Sequence, residues 1–369
     1  MRILQIVNSL THTSIPIEMA CNMLNTEEIE IVALYNDQAE ADQFAKDMGI
    51  ECPIYGFGYR NSKIAGLKNY IHFLKHCNYD VINTHHSLSG SLARLICYKK
   101  GIKLVHTVHA NYHSYSRSQN LIIGSTLNRT DAVVFNSNSS QEGLYEWEKR
   151  RIRNVYKQVI YNGVNVERIQ NATDDFWQHL CANSGIHDDD IVITQIGRLE
   201  PVKNPLGSLT AFDLLRDLLD EDVYKRCRLV IVGDGSERKT LTTYVAEHNL
   251  EETVFMPGVI KRDEVYSWMK RADVLIIPSF FEGFCNTLIE GLISKMTICI
   301  SDIPVFDEIL DKSIEVSRFN PNDNRDIAIG LKKSIEEITK DHGSNSEFAK
   351  NRFSLNRTIE SYLRLYKDL

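Results

Sequence analysis

The chain has 369 residues, with 42 Lys and Arg against 49 Asp and Glu, and a formal net charge of −7. Hydrophobic residues make up 43% and charged residues 25%, a balance typical of soluble globular proteins that excludes disordered, collagen-like and coiled-coil chains. The length predicts about two domains. Since no apolar run approaches the roughly 18–20 residues that span a bilayer, a polytopic membrane protein is also excluded.

Short β-branched runs alternate with helix-length segments through the first half. The predicted strands are Ile3–Val7, Ile29–Tyr35, Val81–Thr84, Lys103–Val108, Asp131–Asn136 and Gln158–Ile160. The predicted helices are Ile15–Asn25, Lys63–Cys77, Leu88–Lys100, Gln119–Arg129 and Ser139–Arg150. This alternation predicts βαβ units and therefore a parallel sheet covered by helices on both faces.

The same alternation resumes after a polar stretch, Asn171–Asp190. The predicted strands are Ile191–Ile196, Arg228–Val232, Thr253–Met256, Val274–Ile277, Thr297–Ile300 and Ile314–Val316. The predicted helices are Pro205–Leu219, Glu237–Asn249, Arg262–Lys270, Asn286–Ser294 and the amphipathic Leu355–Leu369. We therefore expect an α/β protein of two Rossmann-like domains whose parallel sheets face a central cleft, because such sheets bind ligands at the carboxyl ends of their strands.

Charge and cysteine usage differ from those of a secreted protein. Residues 1–160 carry 17 Lys and Arg against 14 Asp and Glu, whereas the remainder carries 25 against 35. The basic half fits an anionic partner such as a membrane surface or a lipid-linked phosphate, although chance variation between two soluble domains explains it equally well. Eight scattered cysteines and an N-terminus without signal-peptide features predict a reduced, cytoplasmic protein.

The first motif with chemical content is Gly197–Asn204, GRLEPVKN, which follows the strand IVITQI. Gly197 suits a tight turn. Arg198 and Lys203 lie where a strand ends, and a guanidinium fork beside a point charge suits a diphosphate. Two solvated loop cations are the alternative interpretation.

The second motif, Pro278–Glu290, reads PSFFEGFCNTLIE, with a strand end, a loop and a helix start. The free amides of a helix N-terminus bind phosphate. Gly283 lets the backbone approach a ligand closely. Glu282 and Glu290 are placed to face one cleft, where carboxylates accept hydrogen bonds from sugar or ribose hydroxyls.

These residues carry a resemblance that covers nearly the whole chain. Glu282 and Glu290 are separated by seven residues, the E-x7-E spacing of retaining GT-B glycosyltransferases, and the chain resembles glycosyltransferase family 4. The ordered segments that match the family are VINTHH, HTVHAN, AVVFNSNSS, VIYNGVN, GRLEPVKN, LVIVGDGSERKTL, VFMPGVI, ADVLIIPSFFEGFCNTLIEGLISK and SDIP. The resemblance implies a GT-B fold with an acceptor domain over residues 1–165, a donor domain over 166–352, and a C-terminal helix, 353–369, that packs back on the first domain.

The resemblance also implies roles for individual residues. Arg198 and Lys203 would bind the donor diphosphate, Glu282 the sugar hydroxyls and Glu290 the ribose. His109 would contact the donor sugar or the acceptor, and His109 and Glu282 are the expected catalytic residues. The other expected donor-binding residues are Gly233, Val259 and Ile260 around the base, and Gly283, Phe284, Cys285, Asn286 and Thr287 around sugar and phosphate.

The chain departs from the family in the loop after its first strand. The usual Gly-Gly pair is absent from Asn8–Pro16, so the hydroxyls of Ser9, Thr11 or Thr13 are expected to bind on this side, with His85 deeper on the acceptor side. Cys285 stands where glycine or proline is common and is expected to pack rather than react.

The resemblance implies transfer with retention, in which the leaving phosphate takes the acceptor's proton. No metal or other cofactor is expected, because the cations and the helix N-terminus neutralise the diphosphate; the D-x-D runs at 188–190 and 220–222 lie in polar connections. The expected donor is a UDP-sugar, and the expected acceptor is a glycan or lipid-linked saccharide of bacterial surface polysaccharide, O-antigen or capsule.

The expected partners follow from these substrates. Two segments, Lys149–Arg153 after Trp147 and residues 63–76, are candidates for peripheral contact with the anionic inner face of the cytoplasmic membrane. Ordinary solvated helix ends are the alternative interpretation. Nucleic acid is not expected, because the net charge is negative and no basic stripe with interleaved aromatics occurs. Two alternatives stay open, namely a nucleotide-sugar epimerase or hydrolase on the same fold and a catalytically silent partner subunit.

Overall fold

The computed structural model describes residues 1–11, 14–24, 26–109, 116–173, 177–178 and 185–369. The chain divides into two compact units, of which the first is Met1–Gly163 with Leu355–Leu369 and the second is Val164–Ser354. Each unit contains a sheet of parallel strands with helices along it, which confirms the predicted pair of Rossmann-like folds. None of the described helices is long and apolar enough to span a bilayer.

The sheet of the first unit has, in the described residues, seven strands in the order β3-β2-β1-β4-β5-β6-β7. The strands are β1 (Arg2–Val7), β2 (Glu28–Ala33), β3 (Ile54–Gly56), β4 (Val81–Thr84), β5 (Lys103–Val108), β6 (Ala132–Phe135) and β7 (Tyr156–Val159). The helices of the first unit are α1 (Ile15–Met23), α2 (Gln38–Met48), α3 (Lys63–His76), α4 (Ser87–Cys97), α5 (Arg117–Thr126), α6 (Asn138–Glu142), α7 (Glu146–Arg151) and, at its C-terminus, Leu355–Asp368.

The sheet of the second unit has six described strands in the order β10-β9-β8-β11-β12-β13. The strands are β8 (Ile191–Ile196), β9 (Cys227–Val232), β10 (Val254–Gly258), β11 (Val274–Ile277), β12 (Thr297–Ser301) and β13 (Ser317–Phe319). The helices are α8 (Val166–Gln170), α9 (Pro205–Leu214), α10 (Glu221–Tyr224), α11 (Arg238–Glu247), α12 (Arg262–Met269), α13 (Asn286–Ile293), α14 (Pro304–Ile309), α15 (Asn324–Glu336) and α16 (Gly343–Phe353), so that Leu355–Asp368 is α17.

The strands are buried on both faces, as expected for parallel sheets. In β1, Ile3 and Val7 pack into one core of the first unit, while Leu4 and Ile6 pack into another. Helix α17 contributes Ile359, Tyr362 and Tyr366 to the core that contains Ile3. The Asn83 amide on β4 also donates to the Tyr366 hydroxyl at 2.8 Å.

Several predicted elements differ from the observed ones by a few residues at their ends, and two differ more substantially. The strand predicted at Ile314–Val316 lies at Ser317–Phe319 instead, because the turn in which the Ser313 amide and hydroxyl donate to Asp311 occupies the preceding residues. The helix predicted over Ser139–Arg150 is two helices, α6 and α7, because Gly143 caps the first and a capping box at Tyr145 starts the second.

The second of those helices holds a buried carboxyl. Glu148 is 0% exposed; its Oε2 accepts a hydrogen bond from the Tyr145 amide at 2.9 Å, and its Oε1 has no partner within the described residues. Burial raises the pKa of Glu148 to about 7, against the opposing effect of the Tyr145 amide. Because the unfolded chain releases this proton at a lower pH than the folded chain does, the contribution of Glu148 to stability falls as pH rises towards 7.

We therefore expect Glu148→Gln to raise the free energy of unfolding by roughly 1 kcal/mol at pH 8 and to change it little at pH 4. Urea denaturation at the two pH values measures the difference, with Glu146→Gln on the exposed side of the same helix as the control. An equal effect of Glu148→Gln at both pH values would contradict the assignment.

Candidate functional site

The candidate site of the second unit forms where two neighbouring strands end. Strands β8 and β11 pair in parallel, so the loops that follow them leave the same edge of the sheet. A cavity of about 170 Å³ lies at this edge. The predicted site residues that line it are Arg198, Lys203, Glu282, Cys285 and Thr287.

Two of the cavity residues, Lys203 and Glu282, form an ion pair. The Lys203 ammonium donates to both oxygens of Glu282, at 2.6 and 2.7 Å. The Glu282 side chain is 6% exposed and the Lys203 side chain 25%. The Ser279 hydroxyl donates a further hydrogen bond to Glu282 Oε1 at 2.7 Å. The residue expected to bind phosphate and the residue expected to bind sugar thus neutralise each other.

Two other groups at the cavity have unused hydrogen-bonding capacity. Arg198 is exposed, and its guanidinium makes no ion pair or hydrogen bond with the described residues. Gln195 is buried and donates to the Lys203 carbonyl at 3.0 Å, while its own Oε1 lacks a partner in the described part of the chain. A buried acceptor without a partner is costly unless a ligand supplies a donor.

Glu290 lies in helix α13 and is held from helix α12. The Arg262 guanidinium and the Tyr266 hydroxyl donate to the same atom, Glu290 Oε1, at 3.0 and 3.1 Å. The Arg262 Nε also donates to the Tyr266 hydroxyl at 2.6 Å. Because the Arg262 and Glu290 side chains are each 9% exposed, this is a buried, oriented carboxylate rather than a surface charge.

The residues expected around the nucleotide base are Gly233, Val259 and Ile260. The Gly233 amide donates to the Gly258 carbonyl at 2.9 Å. Gly233 has φ 135°, and a Cβ at this position would collide with the Gly197 carbonyl. Val259 and Ile260 follow strand β10, and Val259 is 76% exposed. None of the three lines the 170 Å³ cavity.

The residues around the start of helix α13 are buried or half-buried. Phe284 and Cys285 are buried, and Phe284 packs edge-on against Phe353 with ring centroids 5.8 Å apart. Burial raises the pKa of the Cys285 thiol, which supports packing rather than reactivity. Asn286 begins helix α13, and its Oδ1 is buried without a partner in the described residues, while Gly283 is half-buried.

A second cavity, of about 460 Å³, lies in the first unit. Four predicted residues line it, namely Ser9, Thr11, His85 and His109. The Ser9 hydroxyl accepts a hydrogen bond from Arg60 at 3.1 Å. Thr13, the remaining hydroxyl expected in this loop, lies outside the described residues.

His85 and His109 form a hydrogen-bonded chain. His85 Nδ1 lies 2.8 Å from His109 Nε2, and His85 Nε2 lies 2.7 Å from Gln5 Oε1. Burial holds the pKa of His85 well below its usual value and lowers that of His109 to about 3, so both rings are neutral. Because the Gln5 oxygen only accepts, His85 carries its hydrogen on Nε2, and His109 must donate from Nε2. His109 Nδ1 is therefore an acceptor.

Sequence reasoning missed several residues that hold these groups. Gln5 looks like an ordinary polar residue in a buried strand, and nothing in the sequence links it to His85. Arg262 and Tyr266 are four residues apart in a predicted helix, a spacing that places them on one face and gave the available signal. His106, three residues before His109, points away to Thr84 and Arg94.

Metal ligands were not expected. Across the described ranges, no group of three or more His, Cys, Asp and Glu side chains is arranged to hold a metal ion. Asp190, in the first D-x-D run, forms an ion pair with Arg228 at 3.2 Å.

Two family models match the chain. Residues 180–352 match the model described as glycosyl transferases group 1, and residues 24–168 match the model described as glycosyltransferase family 4. Together they cover most of both units.

Relatives of the chain are named as glycosyltransferases. An O-antigen biosynthesis glycosyltransferase, WclY, from Escherichia coli is 24% identical over 94% of this chain and 92% of its own length. A UDP-Gal:alpha-D-GlcNAc-diphosphoundecaprenol alpha-1,3-galactosyltransferase from the same species is 27% identical over 62% of this chain and 59% of its own length. The crystal structure of Anabaena HepE in complex with UDP-glucose aligns over 100% of both chains, with a TM-score of 0.81 and 17% identity.

We expect Arg262→Met to lower the free energy of unfolding by about 3 kcal/mol, because it leaves the buried Glu290 carboxylate without its cation. Tyr266→Phe removes the hydrogen bond that the hydroxyl donates to Glu290 and the one that it accepts from Arg262, and it should cost about 2 kcal/mol. Denaturant titration measures both, and Arg262→Met/Glu290→Gln should recover part of the loss. A double variant no more stable than Arg262→Met would show that Arg262 acts through packing alone.

Proposed function

Because the chain belongs to glycosyltransferase family 4 and also matches the group 1 glycosyl transferases, we propose that it transfers a sugar from a nucleotide-sugar to a glycan or lipid-linked acceptor with retention of configuration. The observation that carries this proposal is the cavity of the second unit. It gathers an exposed guanidinium, an ammonium paired to a buried carboxylate and the first residues of a helix at one sheet edge. Such a set can bind a diphosphate and sugar hydroxyls together.

The proposed division of labour follows from charge. Arg198 and Lys203 stabilise the negative charge that develops on the leaving diphosphate, and the amides at the start of helix α13 assist them. We propose that two cations and a helix N-terminus make a metal ion unnecessary. Glu282 and Gln195 accept hydrogen bonds from the sugar, while Glu290, fixed through Oε1 by Arg262 and Tyr266, offers its other oxygen to the ribose.

The proposed retention rests on the leaving group rather than on a protein base. The departing phosphate oxygen accepts the acceptor's proton on the face from which it leaves, and the protein contributes positioning. Burial lowers the pKa of His109 to about 3, so this neutral ring acts as a hydrogen-bonding group at working pH rather than as an acid. Its acceptor nitrogen is suited to orient a hydroxyl.

The proposed substrates draw on the relatives. HepE, whose fold this chain shares, is described in complex with UDP, with UDP and glucose, and with UDP-glucose, which supports a UDP-sugar as donor. Relatives named for O-antigen synthesis and for a diphosphoundecaprenol acceptor support a lipid-linked saccharide of a bacterial surface polysaccharide such as O-antigen or capsule. We assign the acceptor to the 460 Å³ cavity lined by Ser9, Thr11, His85 and His109.

Contact with an anionic membrane is part of the proposal. Leu121 and Ile122 on helix α5 are 63% and 39% exposed, and Trp147 on helix α7 is 38% exposed. Trp147 packs over Gly124 of helix α5, so the three apolar side chains lie on neighbouring helices. Lys149–Arg151 follow directly on helix α7. Exposed apolar groups beside several cations are typical of surfaces that bind anionic lipids.

A ligand screen tests the donor assignment. Thermal unfolding and calorimetry with UDP, GDP, ADP, CMP and their sugar derivatives, in EDTA, measure which ligand stabilises the folded chain. We expect UDP and a UDP-sugar to bind without a metal. Arg198→Ala and Lys203→Ala should each weaken UDP binding by about 1.5–3 kcal/mol, and Glu282→Ala should reduce turnover without weakening UDP binding.

Arg226→Ala, at the opposite end of the second sheet, removes a charge without touching the cavity and serves as the control. Undiminished UDP affinity in both Arg198→Ala and Lys203→Ala would contradict the site. A folded protein that binds none of the nucleotides would favour a catalytically silent subunit.

Vesicle sedimentation tests the membrane surface. We expect the chain to bind vesicles that contain anionic lipid, with about 1 kcal/mol of binding free energy from each Lys or Arg side chain that contacts the surface. This binding should weaken as the salt concentration rises. Leu121→Ser/Ile122→Ser should reduce it severalfold, whereas Ile329→Ser, an exposed apolar residue of the second unit, should not. Equal binding to neutral vesicles would show that the basic residues play no part.

A further inference from the structure

In the cavity of the second unit, Glu282 competes with any anionic ligand for the Lys203 ammonium. The carboxylate takes the ammonium with both oxygens, at 2.6 and 2.7 Å, which is the contact that a phosphate oxygen would make. The pair is largely buried, with the carboxylate side chain 6% exposed. A diphosphate that engages Lys203 therefore meets an anion already seated there.

The free energy needed to separate the Glu282 carboxylate from Lys203 depends on the ligand. Within the described residues, the other group seen to bond Glu282 is the Ser279 hydroxyl, at 2.7 Å from Oε1. A nucleoside diphosphate without a sugar takes the cation and leaves a buried carboxylate facing a phosphate. Removing one partner from a buried ion pair is strongly unfavourable.

An intact nucleotide-sugar removes this cost. Its phosphate takes over Lys203, and its sugar hydroxyls donate to Glu282 in place of the ammonium hydrogens. Hydrogen bonds to a charged acceptor are worth roughly twice as much as bonds between neutral groups. Both halves of the ion pair are then satisfied by one molecule.

From this geometry we propose that Glu282 is a specificity-determining residue that discriminates the nucleotide-sugar from its nucleoside diphosphate product by competing with the diphosphate for Lys203. The inference rests on the proposed function, because it assigns the cavity to the donor. As a consequence, the nucleoside diphosphate product binds more weakly as soon as the sugar has left, since Glu282 pairs with Lys203 again. The same carboxylate thus favours donor binding and product release.

Calorimetric titration with UDP and UDP-glucose tests the inference. In Glu282→Gln, the competing charge is gone and the hydroxyl acceptor is weakened. We expect the Kd for UDP to fall about tenfold and the Kd for UDP-glucose to rise, so that the preference for the sugar nucleotide is lost or reversed. Asp302→Asn removes an exposed carboxylate of the same unit and controls for the change in net charge, with both affinities expected to stay the same.

A double-variant cycle separates the competition from other effects. The gain in UDP affinity from Glu282→Gln should disappear in the Lys203→Met background, because no cation remains to compete for. Glu282→Asp retains the charge on a shorter side chain and should show an intermediate gain, which keeps the test valid if Glu282→Gln does not fold.

The outcomes distinguish the inference from the function on which it rests. If the wild-type chain binds UDP and UDP-glucose but Glu282→Gln and Glu282→Asp show no gain for UDP, the inference is wrong and the donor site stands. If the wild-type chain binds neither ligand, the donor assignment itself fails, and the inference fails with it.

Discussion

The parallel pairing of β8 with β11 is the constraint on which the site depends. It delivers the loop after residue 196 and the loop after residue 277 to one sheet edge. Lys203 and Glu282, 79 positions apart in the chain, thereby come within 2.6 Å of each other. Neither residue would be costly to expose alone, but together and buried they must satisfy each other or a ligand. The order of the strands therefore brings the two loops that form the candidate site together at one edge of the sheet.

In both units, hydrogen bonds from buried neighbours orient the functional side chains. In the second unit, Glu290 is fixed through Oε1 by Arg262 and Tyr266, and its Oε2 is the oxygen that we propose for the ribose. In the first unit, Gln5 sets the hydrogen of His85, and His85 sets that of His109. In each case, hydrogen bonds from buried neighbours determine which atom of the functional residue remains available to a ligand. Preorganisation of this kind suits transfer reactions in which positioning and charge stabilisation dominate.

Much of the fold was accessible from sequence because the signals are local. The strands Val81–Thr84, Lys103–Val108, Ile191–Ile196 and Val274–Ile277 have the predicted bounds, since short runs rich in β-branched residues mark buried parallel strands. Helix α2 and strand β3 were missed, because Gln38–Met48 is polar and Ile54–Gly56 is only three residues long. Helices α8, α10, α14, α15 and α16 were missed as well. The cavity residues Arg198, Lys203 and Glu282 came from motifs, whereas their mutual pairing is a property of tertiary structure that no spacing encodes.

A crystal structure of the chain with a bound UDP-sugar tests the central claim most directly. The account predicts that the ligand occupies the cavity of the second unit, with a phosphate oxygen on Lys203, sugar hydroxyls on Glu282, and the distance between these two side chains increased from 2.6 Å. A UDP-sugar bound elsewhere, with the Lys203–Glu282 ion pair intact, would contradict it.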